Sequence, residues 1–217
     1  MRQAELIQKT ANHVKQLLSG EHTGHDWWHM SRVWQNALHI GKAEGADMFV
    51  VELAALLHDI ADWKFHGGDE KAGSRAAREW LVGQSVETAV IDHVCQIIDD
   101  LSFKGARVPG SMKTREGMVV QDADRLEALG AIGIARAFAY GGHKGQEIYN
   151  PDIPPTLHAS FEAYKNSNGT TINHFHEKLL LLKDLMNTHT GRMMAEQRHE
   201  YIVKFLERFH LEWEGKA

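Results

Sequence analysis

Apolar residues recur at helical spacing along nearly the whole chain, and the alternating runs typical of strands are scarce. Residues 1–108 contain no proline, so this half of the chain lacks the residue that most strongly interrupts helices. The segments between the periodic stretches carry turn residues such as Gly, Asp, Ser and Pro. The pattern predicts an all-α fold with helices at about 4–18, 26–44, 48–62, 69–82, 85–101, 114–139, 157–167, 171–188 and 190–213.

The organisation along the chain favours one domain. The loop at 140–155 is the only candidate linker, and the helices predicted after it are too few to form a core of their own. A length of 217 residues is compatible with one large helical bundle. We therefore predict a single-domain bundle over residues 1–217.

Composition narrows the function classes. The formal net charge of −5 disfavours a nucleic-acid polymer or a membrane surface as partner, because both require a clustered positive face. Cys95 is the single cysteine, which excludes an intrachain disulfide and is typical of a reducing compartment. No apolar run reaches the roughly 20 residues that span a bilayer. We expect a cytoplasmic protein with a small-molecule partner.

The strongest chemical signal is the segment VVELAALLHDIAD at 50–62, which is apolar nearly all round and therefore predicts a buried central helix. A buried carboxylate without a partner costs several kcal/mol, so Asp59 requires a cation or strong donors. Adjacent helical residues differ by about 100° in direction, so His58 and Asp59 can flank one ion. Asp62 lies one turn further on and could hold a water molecule at that ion.

Two further segments offer partners for such an ion. GHDWWHMSRV at 24–33 contains His25, Asp26 and His29, and VVQDADRLEALGAIGIARAF at 119–138 contains Asp122 and Asp124. Residues two apart on a helix point about 200° apart, so these two aspartates cannot both face one ion if the region is regular helix. His25 competes with His29, because the two lie four residues apart on one face; we interpret His25 and Asp26 as supporting groups or the helix start.

Together these blocks resemble the HD-domain metal-dependent phosphohydrolases, whose pattern is a His, an adjacent His-Asp pair and a distant Asp on separate helices. GHDWWH, LLHDIAD, SFKG and QDADRLEALGAIGIAR look most like the small bacterial single-domain members of the YpgQ type. The likeness runs from about residue 20 to 140, and this range is expected to form the core that holds the metal site. The block at 173–188 extends the likeness toward the C-terminus. The C-terminal helices, at about 157–213, are expected to pack on that core. The family register selects Asp124 over Asp122, which could instead cap the helix, and places Glu127 at the next acidic position. The resemblance implies the metal ligands His29, His58, Asp59 and Asp124.

This ligand set predicts the cofactor and its chemistry. Two imidazoles and two carboxylates suit one divalent ion, whether Mn²⁺, Mg²⁺, Fe²⁺, Co²⁺ or Ni²⁺, and affinity order does not select among these metals. We favour Mn²⁺. A bound divalent ion brings the pKa of water down toward about 7 and polarises a phosphoryl group. Asp62 is the candidate to orient or deprotonate that water, with Asp59 as the other catalytic candidate. Arg32, Lys104 and Arg125 are the candidate contacts for the substrate phosphates.

The resemblance implies hydrolysis of a nucleoside or deoxynucleoside triphosphate to a monophosphate and pyrophosphate. A nucleoside 5′-monophosphate phosphatase and a non-catalytic, metal-dependent nucleotide sensor are the alternatives. Trp27, Trp28 and Phe65 could stack a base, although aromatic residues at such spacing also serve as core. The leucine-rich stretch at 174–185 could pack within the fold or serve a homodimer.

Overall fold

The computed structural model describes residues 2–20, 26–61, 69, 71–101, 112–156 and 169–217, and these contain helices and no strands. The predicted all-α class is therefore confirmed, whereas the helix predicted at 157–167 lies outside the described residues. The α-helices are α1 (Gln3–Leu17), α2 (Trp27–Glu44), α3 (Met48–Leu57), α4 (Ala72–Gly83), α5 (Thr88–Asp100), α6 (Arg115–Arg125), α7 (Gly130–Lys144), α8 (Thr171–Glu177) and α9 (His189–Trp213). Two 3₁₀ segments cover Leu126–Ala128 and Leu179–Leu185.

The chain divides into two compact units. The first comprises Met1–Phe103 with Pro109–Asp124, and the second comprises Lys104–Val108 with Arg125–Ala217. The arrangement as a single domain stays a prediction. None of the helices in the described part of the chain combines the length and apolar character needed to cross a membrane.

Helix α3 forms the core of the first unit, as its all-round apolar sequence predicts. Seven of its ten residues are buried, and α1, α2 and α5 pack against it while α4 packs on α5. Burying one leucine side chain contributes about 1.5–3 kcal/mol, so three buried leucines in one helix are a large part of this unit's stability. The helix is shorter than predicted: it ends at Leu57 rather than near residue 62.

Indole groups connect the peripheral helices of the first unit. The Nε1 of Trp34 on α2 donates to Oε2 of Glu52 on α3 at 2.9 Å. On α4, the Nε1 of Trp80 donates to Oγ1 of Thr10 at 3.0 Å, and its ring stacks on His13 with centroids 3.7 Å apart. These bonds satisfy polar atoms that would otherwise be costly to bury, and they tie α2 to α3 and α1 to α4.

The second unit begins where the predicted helix at 114–139 breaks. Helix α6 ends at Arg125, Leu129 is extended, and Gly130 has φ +70°, a left-handed value that favours glycine. The side chain of Arg198 on α9 packs against Gly130 and its Nη1 donates to the Leu126 carbonyl oxygen at 2.7 Å. Helix α9 therefore approaches the backbone closely at Gly130.

Three aromatic side chains and a buried carboxylate contribute to the interior of the second unit. Phe138 on α7, the fully buried Phe175 on α8 and Phe205 on α9 lie with ring centroids 5.8–5.9 Å apart. Glu127 is buried and pairs with Arg136 at 3.8 Å. A buried carboxylate is tolerable because a cation compensates its charge, which gives this family-motif residue a structural partner within its own unit.

Candidate metal centre

The first part of the centre is the start of α2. The Oδ1 of Asp26 accepts a hydrogen bond from the backbone N–H of His29 at 2.8 Å, so Asp26 is the N-cap of the helix. This cap fixes the first turn, in which His29 points inward with 2% of its side chain exposed. The helix-start interpretation of Asp26 is confirmed, and His25 lies outside the described residues.

The second part is the end of α3. Because the helix ends at Leu57, His58 is its C-cap residue and Asp59 follows it, instead of both lying inside a longer helix. The Nδ1 of His58 lies 2.9 Å from the carbonyl oxygen of Ala55. A carbonyl oxygen can only accept, so Nδ1 carries a proton, and in the neutral form of such a ring it is Nε2 that presents the lone pair. The role of Ala55 is a backbone one, which its side-chain identity could not reveal.

The Nε2 atom of His58 is the clearest sign of an ion site. It is buried, and no hydrogen-bond partner reaches it among the described residues. Leaving a buried polar atom unsatisfied is costly, and native proteins rarely do so without a ligand, ion or water. An imidazole whose other nitrogen is held by a carbonyl is the usual arrangement of a metal-binding histidine.

The start of α2 and the end of α3 bring three potential ligand side chains together. Donor atoms of His29, His58 and Asp59 all lie within 4.8 Å of one another, and no other group of three such side chains does so in the part of the chain described. The two imidazole rings meet edge to face with centroids 5.5 Å apart. The geometry on which the sequence prediction depended, two imidazoles near enough to share an ion, is present.

Asp124, the fourth ligand that the sequence predicts, lies on α6 beside the two histidines. Its Oδ1 lies 3.6 Å from Nε2 of His29 and 3.8 Å from Nε2 of His58. Two donors bound to one ion at about 2.1 Å each are about 3.0 Å apart at a right angle and about 4.2 Å apart when opposite. Both distances fall between these limits, so Oδ1 of Asp124 lies at a separation from each imidazole that two donors on one divalent ion can have.

Asp122 occupies a different place. It lies in the interior of α6 and is fully buried, so it does not cap the helix, as one reading of the sequence allowed. The two-residue spacing turns its side chain about 200° away from Asp124 on regular helix. Asp124, which contacts both imidazoles, is therefore the aspartate that faces the centre.

Of the remaining candidate site residues, some lie in the described part of the chain and some do not. Arg32 lies on α2 and is partly buried. Arg125 donates from Nη1 to the carbonyl oxygen of Leu185, which gives its guanidinium a structural partner in the second unit. His93 on α5 lies outside the cluster, with its Nε2 3.9 Å from Oε2 of Glu116. Asp62 and Lys104 lie outside the described residues.

The comparisons with known proteins agree with this geometry. The HD domain profile matches residues 27–129, a range that contains all four proposed ligands. The chain is 41% identical over 210 residues to the uncharacterized protein YpgQ of Bacillus subtilis, covering 95% of this chain and 91% of that protein.

Solved structures match over nearly the full length. An HD-superfamily hydrolase from Bacillus thuringiensis superposes with a TM-score of 0.78 at 44% identity, covering 98% of this chain and 99% of that one. The structure of Bacillus subtilis YpgQ in complex with ADP superposes with a TM-score of 0.77 at 35% identity, covering 98% and 97% of the two chains.

Proposed function

We propose that this chain, which belongs to the HD domain family, is a divalent-metal-dependent hydrolase that cleaves nucleoside or deoxynucleoside triphosphates to a monophosphate and pyrophosphate. The observation that carries the proposal is the cluster of His29, His58 and Asp59, with Asp124 near both imidazoles. The Nε2 of His58 is buried and has no hydrogen-bond partner among the described residues, which leaves its lone pair available to an ion.

The chain's own residues would prepare the site in three ways. The Ala55 carbonyl accepts from Nδ1 of His58 and so selects the tautomer whose Nε2 lone pair can bind an ion. The Asp26 cap holds the first turn of α2 and with it His29. Asp59 and Asp124 supply negative charge toward a divalent cation, with Mn²⁺ the metal we favour.

A divalent ion at this site would supply a water of lowered pKa and would polarise the phosphoryl group. Asp62, three residues after Asp59, is the residue we propose to orient the attacking water. Arg32, Lys104 and Arg125 remain the proposed phosphate contacts, of which Arg32 shares the first turns of α2 with His29. The positive charge of these side chains would offset charge that develops on the phosphate oxygens.

Support for a nucleotide substrate comes from the relative rather than from this chain's pocket. Bacillus subtilis YpgQ binds ADP in its crystal structure, and its fold superposes on 98% of this chain. The net charge of −5 argues against a nucleic-acid polymer as substrate. A free nucleotide is therefore the substrate class we propose.

The test is a hydrolysis screen on metal-stripped protein. Ribo- and deoxyribonucleoside triphosphates and 5′-monophosphates are offered with and without Mn²⁺, and pyrophosphate and orthophosphate are measured separately. We expect pyrophosphate from triphosphates only with metal present. Orthophosphate from monophosphates alone would favour the 5′-nucleotidase, and binding of nucleotide without turnover would favour the sensor.

Variants separate the roles within that screen. His58→Ala and Asp59→Asn should lose both metal and turnover, because each removes a ligand. Asp62→Asn should keep the metal and lose turnover, because the residue is proposed to act on water only. Asp92→Asn, which removes an exposed carboxylate paired with Arg78, is the matched control and should retain activity.

A further inference from the structure

Trp28 is exposed in a way that packing does not explain. Its exposed fraction of 63% is larger than that of any other large apolar side chain in the described residues. The preceding residue, Trp27, is partly buried and has the Nζ of Lys15 6.0 Å from its ring centroid. One indole of the pair therefore has an intramolecular role, and the other presents its faces to solvent.

The position of Trp28 on α2 relates it to the metal centre. Residues on an α-helix advance by about 100°, so Trp28 lies about 100° to one side of His29, and Arg32 lies about 60° to the same side. Trp28 and Arg32 are four residues apart and are neighbours on one helix face. Within one sector of the helix surface the chain thus offers a buried metal ligand, a partly buried cation and an exposed aromatic ring.

We propose that Trp28 is the stacking platform for the nucleobase of the substrate, so that this face of α2 selects nucleotides over phosphate compounds without a base. The inference rests on the proposed function and specifies which part of the substrate this residue recognises. A nucleotide presents anionic phosphates and an aromatic base at opposite ends. The sector on α2 presents matching chemistry, with the ion ligand and Arg32 for the phosphates and the indole for the base.

The physical properties of Trp28 suit this role. Both bases and indoles have extended π-faces, and stacking between them is tolerant of base identity. The residue is held by the first turn of α2, which the Asp26 cap fixes, so stacking would not require ordering of a free segment. The helix that orients one metal ligand would thereby also orient the base.

The test compares two probes on Mn²⁺-loaded protein, ADP and inorganic pyrophosphate, by titration calorimetry. The probes share a diphosphate, and only ADP carries a base. We expect Trp28→Ala to weaken ADP binding about 10- to 100-fold and to change pyrophosphate binding less than about twofold. Trp28→Phe should recover most of the ADP affinity, because it restores an aromatic face.

Trp213→Ala is the matched control, since this tryptophan is also about half exposed but lies at the end of α9. It should bind both probes like the unmodified protein. Equal weakening of ADP and pyrophosphate by Trp28→Ala, unchanged ADP affinity, or no ADP binding by the unmodified protein would each overturn the inference. If base-dependent binding holds while no triphosphate is hydrolysed, the proposed function fails and the role of Trp28 stands.

Discussion

Acidic pH should destabilise this protein through the protonation of one histidine, His174, which lies far along the sequence from the residues of the candidate metal centre. His174 lies on α8 of the second unit, where burial, with a smaller contribution from the charge of Lys178, lowers its pKa from 6.5 to about 3. The unfolded chain has no such burial, so its His174 accepts a proton near pH 6.5. The folded chain is thus favoured while the ring is neutral, and this contribution is lost as pH falls from about 6.5 toward about 3.

The magnitude follows from the separation of the two pKa values. Below the unfolded pKa each pH unit costs about 1.4 kcal/mol, so a fall to about pH 5 removes about 2 kcal/mol of stability through this residue. The perturbation that isolates it is His174→Gln, which keeps a polar side chain but does not titrate. The difference in unfolding free energy between the unmodified protein and the variant should therefore become smaller by about 2 kcal/mol from about pH 7.5 to pH 5.

The assay is urea denaturation followed by circular dichroism at the two pH values. A chelator is present throughout, because protonation of ligand histidines would otherwise couple metal loss to the same pH change. His143→Gln removes an exposed histidine at the end of α7, and its difference from the unmodified protein should change by less than about 0.5 kcal/mol. A difference for His174→Gln that is the same at both pH values would refute the reasoning.

Two further predictions concern the ion and the packing of the second unit. Mn²⁺ at about 100 times its Kd should raise the unfolding free energy by about 2.7 kcal/mol, which is measured as a rise in melting temperature. The His58→Ala variant should lose this rise, and the His93→Ala variant should keep it. A rise that persists in His58→Ala would contradict the ligand assignment. Gly133→Ala should lower the unfolding free energy by about 1–3 kcal/mol in urea denaturation, because the added Cβ would overlap the backbone carbonyl of Ala128. Gly142→Ala is the control: its Cβ would meet no described atom within 4 Å, so it should be neutral or stabilising by up to about 1 kcal/mol. Equal effects of the two substitutions would contradict the packing argument.

Much of the fold could be read from hydrophobic periodicity. The apolar segment from residue 50 predicted a central helix, and α3 is buried on nearly all sides. Periodicity did not show where helices end. The predicted helix at 114–139 is interrupted at Leu129 and Gly130, and its apolar pattern continues through the break because both parts bury side chains. Backbone dihedral angles, which hydrophobicity does not encode, decide such boundaries.

The candidate ligands could also be named from sequence, but for a different reason. Motif order selected Asp124, and the helical repeat required only one of the two aspartates to face an ion. The repeat alone could not say which one, because both positions lie in an apolar segment. Their environments distinguish them: Asp122 is fully buried, and Asp124 lies near both imidazoles.

The residue order alone predicted the helical class and the family, and the family resemblance then proposed four side chains as ligands for an ion, because periodicity and motif order can be read directly along the chain. Tertiary structure alone decided that α3 stops at Leu57, that the Ala55 carbonyl orients His58, and that Trp28 is exposed while Trp27 is partly covered. These features depend on which atoms from distant segments, or from the backbone itself, meet in space. The type of a residue does not specify which distant atoms it will meet, so these contacts are known only from the folded structure.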